Sequence, residues 1–174
     1  DRSVFPGYQG GPHMHIIAAK AVAFYEALQP GFAEYSSQVV KNARALADTL
    51  LLEGMCLVTG GTDNHLVLID LIQTPAVNKI GLGKPIAEAL DEAGVVLNAN
   101  AIPFDPSPPS RPSGLRLGTP GITTRGMKEG EMKEIGALIA RIIKDHENKE
   151  LILASRAKVL ELCQRFPIYF NLSY

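Results

Sequence analysis

Several common signals are scarce or missing in this sequence. Its two cysteines, Cys56 and Cys163, stand far apart with no metal-type spacing, which favours reduced, buried thiols over a disulfide framework or a thiolate metal site. Charge of one sign is also missing. Seventeen basic against eighteen acidic side chains leave a formal net charge of -1, so no field draws the chain to nucleic acid or to an anionic membrane. Apolar runs such as Leu66–Ile69 fall far short of the about 20 residues a membrane span needs. Asp1 opens no signal peptide, and no initiator methionine precedes it. No internal repeat or low-complexity tract is visible. These absences point to a cytoplasmic globular chain, and 174 residues at 46% hydrophobic content suffice for one core with an appendage.

The patterning that is present predicts α/β architecture. The first twelve residues, DRSVFPGYQGGP, hold three glycines and two prolines and read as a loop with a sharp turn. Ile17, Ala21, Phe24 and Leu28 share helical spacing within residues 13–28, with Pro30-Gly31 expected to end the run. A second, longer helix is expected over 32–53, with Phe32, Tyr35, Val39, Ala43, Leu46 and Leu50 on one face and Gly54 as its stop. Residues 55–58 and 65–71 read as neighbouring strands around the turn TGGTDN. A short helix over 85–93 and a strand at Val95-Val96-Leu97 follow. Residues 98–114, NANAIPFDPSPPSRPSG, contain five prolines and no periodicity, and read as a long functional loop. Leu115–Leu117 is expected to pair as a strand before a turn at 118–121. Helices over 127–146 and 149–165 complete the chain, with the apolar tail FPIYF docking on the body. Helices covering a small set of strands make a sandwich with helices on one face.

Some residues invite a chemical reading. Gly10-Gly11 exposes backbone N–H groups just before a helix, which by its chemistry alone reads as an ordinary turn first and an anion cradle second. Arg116 sits inside the apolar run SGLRLGTP, where a guanidinium is costly without an anion or an open cavity. Its fork suits a substrate carboxylate, and a structural ion pair is the alternative. Asn98 and Asn100 are turn formers or donor–acceptor groups for a heterocycle. His13 and His15, two apart at a helix start, splay by about 200° and do not suggest a metal site. Asp63, Asn64 and His65 read as caps on the following strand. Arg125 is expected to support a substrate loop or to pair locally. The Gly81-x-Gly83-Lys84 stretch lacks a phosphate-loop spacing.

Three segments, FPGYQGGPHMH, GGTDNHLVLIDL and SGLRLGTPGITTRGMKE, with NANAIPFDP between the last two and LELCQRFPIY at the end, resemble serine hydroxymethyltransferase over essentially the whole chain. The resemblance implies the C-terminal portion of a fold-type I pyridoxal-phosphate enzyme: a small sheet covered by helices, preceded by a loop and long connecting helices. Residues 1–31 would be the end of the large cofactor domain and 32–174 the C-terminal α/β domain. The implied cofactor is pyridoxal 5'-phosphate, with tetrahydrofolate as co-substrate, serine and glycine as substrates, and a homodimer or a dimer of dimers as the assembly. Arg116 would hold the substrate carboxylate. Gly10 and Gly11 would approach the cofactor phosphate of the neighbouring subunit, with Phe5 bordering that site or simply packing. Asn98 and Asn100 would border the folate pteridine, although Ala99 replaces the lysine many relatives carry between them.

In this family the cofactor-binding lysine lies in a threonine-rich segment shortly before FPG, and no lysine here has that context. The expectation is therefore a partial, inactive chain with no catalytic residue of its own. The rivals are the small domain of another fold-type I enzyme, an aminotransferase or acyltransferase, and a non-catalytic binding module. FPGYQGGP together with TDNHLVLIDL favours the hydroxymethyltransferase.

Overall fold

A computed structural model describes residues 1–168. It divides into two compact units, one over Asp1–Ser36 and one from Ser37 onward.

The first unit begins with an irregular turn over Ser3–Tyr8, in which the Asp1 carbonyl accepts from the amides of Val4 (3.0 Å) and Phe5 (2.9 Å). Helix α1 spans Met14–Ala27. Its apolar residues are not confined to one stripe, and none is buried: Ile17 is 47% exposed, Phe24 67% and Leu28 82%. Pro30, expected to end this helical run, instead opens helix α2 (Pro30–Leu52). A proline suits a first turn because the amide it lacks would have no helical partner there.

The second unit holds the core. Along α2 the buried residues Val39, Asn42, Ala43, Leu46, Ala47 and Leu50 recur at intervals of three and four, the stripe expected of a helix with one covered face. Gly54 ends the helix at φ +82, a left-handed conformation that side chains with a Cβ rarely adopt. The Met55 amide then donates back to the Leu50 carbonyl at 2.9 Å.

Four antiparallel strands follow in spatial order β1-β2-β4-β3: β1 (Cys56–Leu57), β2 (Leu66–Asp70), β3 (Asn98–Asn100) and β4 (Gly114–Gly118). Val67, Ile69, Leu115 and Leu117 are buried, while Leu66, Leu68, Asp70, Arg116 and Gly118 between and beside them are not, so one face of the sheet is covered by helices. The cover comprises α2, α3 (Gly83–Glu92), α5 (Glu129–Lys144) and α6 (Lys149–Arg165), whose Leu46, Ile86, Leu90, Met132, Ile139, Ile143 and Ile152 join the strand residues in one cluster.

Short helix α4 (Pro120–Thr124) occupies part of the stretch expected as a turn. Asn42, fully buried, ties it to α2 by donating to Thr123 Oγ1 and to the Met127 carbonyl, both at 2.9 Å, while accepting from Gln38. Thr119 Oγ1 donates to the Val39 carbonyl at 2.8 Å and reinforces the tie.

Residues 95–97 were expected to form a strand, and the pairing instead begins at Asn98. Val95 and Leu97 pack against the core from the connection after α3, and the ladder with β4 runs only from Asn98 to Asn100. A short run of β-branched and apolar residues predicts an extended chain; it does not say which residues find a ladder partner. Of the tail FPIYF, Phe166 packs against the core, and Tyr169 and Phe170 lie outside the described residues.

Candidate functional site

Arg116 is central in β4, between buried Leu115 and Leu117. Because side chains alternate across a strand, it projects to the face without helices and is exposed. The apolar run around it is apolar on its other side only, which removes the desolvation cost expected from sequence. Among the described residues Arg116 has no carboxylate partner, so the structural ion pair is not formed.

Register brings the sequence candidates together. Asn98 on β3 and Leu68 on β2 pair directly with Arg116, and Asn100 pairs with Gly114. Directly opposed residues share a face with Cβ atoms about 4.5–5.5 Å apart, and residues two apart share it too. Asn98, Asn100 and Arg116 therefore line one open surface. Both asparagines are strand residues, where sequence placed them in a loop; Asn100 Nδ2 donates to the Ala101 carbonyl at 2.9 Å. His65, Leu66, Val96 and Leu97 wall a hollow of about 440 Å³ beside Asn98 and Arg116.

The remaining loop between β3 and β4 is organised by Asp105, which sequence reasoning passed over. Its carboxylate accepts from the amides of Ser107 (3.0 Å) and Ser113 (2.8 Å) and from Ser113 Oγ (2.8 Å), and Ser113 Oγ accepts from the Gly81 amide at 3.0 Å. Partial burial pushes the Asp105 carboxyl up, but the bonds from Ser107, Ser113 and Ile102 outweigh it and hold the group below its ordinary value. The available signal was Asp-Pro-Ser, an Asx-turn pattern in which the aspartate accepts from the amide two residues on. Next to it, Gly114 starts β4 where a Cβ would lie 2.6 Å from Ile102 Cγ2 and 2.9 Å from the Ile69 and Asn100 carbonyls. Only glycine lets β4 run this close to its neighbours.

His65 was expected to act only in capping β2. The capping is done by Asn64, whose Oδ1 accepts from the Leu66 amide at 2.7 Å, and His65 is left to line the hollow. Arg125 makes no local ion pair among the described residues; its Nη2 donates to the Cys163 carbonyl at 3.1 Å. In the first unit His13 and His15 do touch edge-to-face, with ring centroids 5.6 Å apart. His13 precedes α1 in extended conformation, so the helical 200° splay does not apply to it. No group of three or more His, Cys, Asp or Glu among the described residues could hold a metal.

Gly10 and Gly11 are exposed, and a Cβ added to either would meet nothing within 4 Å. Their backbone is open to an incoming phosphate, although the first unit closes no cradle around them. Phe5 is 63% exposed, not packed. Cys56 and Cys163 are free thiols; burial, and then the Asp70 carboxylate, push the Cys56 thiol above its ordinary value. No described helix is long and apolar enough to cross a membrane.

A helix-backed antiparallel sheet defines an α/β domain, and its other face carries Asn98, Asn100 and Arg116, the arginine without a carboxylate partner among the described residues. The family model for serine hydroxymethyltransferase matches residues 1–139. The chain belongs to the serine hydroxymethyltransferase family, a family of transferases.

Proposed function

We propose that this chain supplies the substrate-carboxylate and folate-facing parts of a serine hydroxymethyltransferase, which interconverts serine plus tetrahydrofolate with glycine plus 5,10-methylenetetrahydrofolate. What carries the reading is Arg116, without a carboxylate partner among the described residues and beside Asn98 on the bare sheet face, in a chain of this family. A guanidinium fork with no protein carboxylate can take the α-carboxylate of serine through two parallel hydrogen bonds, fixing orientation as well as position. Asn98 and Asn100 offer amide donors and acceptors to the pteridine edge of the folate.

Gly10 and Gly11 present open backbone to the phosphate of pyridoxal phosphate in a neighbouring subunit of a homodimer, and exposed Phe5 borders that cofactor. When bound, the cofactor supplies an electron sink for charge developing at the substrate α-carbon. This chain's part is to bind and orient. None of its lysines stands in the family's threonine-rich segment, so these 174 residues do not by themselves turn over serine. The activity belongs to the cytoplasm, where Cys56 and Cys163 stay reduced.

The test joins this chain to the cofactor-lysine portion of a family member and measures serine affinity and turnover. Arg116→Ala should weaken serine use by about 2–5 kcal/mol, and Arg116→Lys should restore little of it. A near-normal Arg116→Ala enzyme would reject the reading.

A further inference from the structure

Gly118 closes β4 two residues after Arg116, so both belong to the same face of the sheet, roughly 7 Å apart along the strand. It borders the hollow that Arg116, Asn98 and His65 wall, and no acidic residue borders that space. Nothing in the fold demands a glycine here. Its backbone is not left-handed, as that of Gly54 is, and a Cβ built on it would make only ordinary contacts: 3.5 Å to Leu66 Cδ2, 3.6 Å to the His65 carbonyl oxygen and 3.7 Å to Pro120 Cδ. Gly114, at the other end of the same strand, is the contrast, because a Cβ there would run into the Asn100 and Ile69 carbonyls at 2.9 Å. Glycine weakens a strand relative to alanine, since it loses more freedom on folding and packs no side chain. At Gly118 neither φ nor packing offsets that cost, and what the residue provides is the open space above its Cα.

We infer that Gly118 is a clearance position for the carboxylate that Arg116 takes: the carboxyl end of the substrate lies over the Gly118 Cα, in the volume a side chain would occupy. The inference rests on the reading of Arg116 as the carboxylate holder and adds the residue that admits the ligand. The spacing fits, since a charge-assisted hydrogen bond of about 2.8 Å with a carboxylate beyond it spans most of the roughly 7 Å between the two residues. The walls also limit the ligand. One guanidinium, an imidazole and an amide, with Leu66 and Leu97 beside them and no acid, suit a compact carboxylate and offer no anion to a free ammonium group next to it. The best fit is therefore an amino acid whose amine is engaged elsewhere.

The experiment is a ¹H–¹⁵N titration of the full chain, following backbone amides and the arginine Nε–H groups, with the sodium salt of N-acetyl-L-serine at constant ionic strength, paired with thermal melts. N-acetyl-L-serinamide, which lacks the carboxylate, is the control. The carboxylate should shift the Arg116 and Asn98 signals saturably, and the amide should not. Gly118→Ala should raise the midpoint at least about threefold and Gly118→Val at least about tenfold, because each added group fills space the ligand uses. Gly118→Ala should nevertheless melt at or above the wild-type temperature, and it decides the matter should Gly118→Val fail to fold. Arg116→Ala separates the two claims. Binding lost there but unchanged in Gly118→Ala overturns the clearance role and leaves the carboxylate reading standing, whereas binding unchanged in Arg116→Ala overturns the carboxylate reading and the clearance role with it. The clearance role also falls if the wild-type chain shows no saturable shift, if the serinamide reproduces the shifts, or if Gly118→Ala melts well below wild type, which would make the glycine structural.

Discussion

The two units use similar apolar residues to opposite ends. From Ser37 onward, Leu46, Leu50, Ile69, Leu115, Ile139 and Ile143 are at most 2% exposed. In Asp1–Ser36 no residue is buried, and Phe5, Tyr8, Met14, Phe24, Tyr25 and Leu28 are each more than 60% exposed. Hydrophobicity alone therefore does not decide burial; patterning does. Helix α2 confines its apolar residues to a stripe and finds a sheet to cover, whereas α1 is apolar around its circumference, as in helices enclosed by other structure on all sides. The second unit encloses a core, whereas the first leaves every one of its apolar side chains at least partly exposed.

That contrast is open to direct attack. The largest effect should come from cutting into the core: Leu50→Ala should cost about 2–5 kcal/mol, while Phe24→Ala should stay within about 0.5 kcal/mol. Urea denaturation of the two variants measures the difference, and equal losses would mean that the first unit is also a packed core. Next, Asn42→Ala removes a buried amide that serves Thr123, Met127 and Gln38, and should cost about 1–3 kcal/mol in the same assay.

A smaller, pH-dependent effect is expected at Asp105. Its folded-state pKa lies below the unfolded value, so its contribution is fully present above the ordinary aspartate value of about 3.9 and is lost as pH falls through the depressed folded value. The stability advantage of wild type over Asp105→Asn should therefore be constant from neutral pH down to mildly acidic conditions and shrink below that. A gap that widens on acidification would contradict the assignment. The smallest effect should follow deletion of residues 1–28: the melting temperature should barely move, while binding of a hydrophobic dye should fall. A large drop in melting temperature would show that the second unit depends on the first.

Much of this architecture was legible in the sequence because it rests on local periodicity. The stripe along α2, the alternation in LVLID and the glycine stop at 54 each write their structure within a few residues. The candidate surface was less legible. That Arg116 faces away from the core follows from alternation, but its neighbours Asn98 and Leu68 are set by register between strands far apart in sequence. Asp105 was hidden in a proline-rich stretch that has no period to read. The strand expected at residues 95–97 was displaced for the same reason: ladder partners are chosen by tertiary geometry, which no short window contains.

The sheet's margins carry a consequence for handling the protein. Its two outer strands, β1 and β3, are two and three residues long, too short to template the addition of a foreign strand. A chain that displays so much greasy helix surface should therefore associate, when concentrated, through side chains and reversibly. Clumps should keep their helical circular dichroism, dissolve on dilution and leave thioflavin dark, and a fibre-like spectrum would mean that one of these stubby margins had lengthened at the expense of its loop.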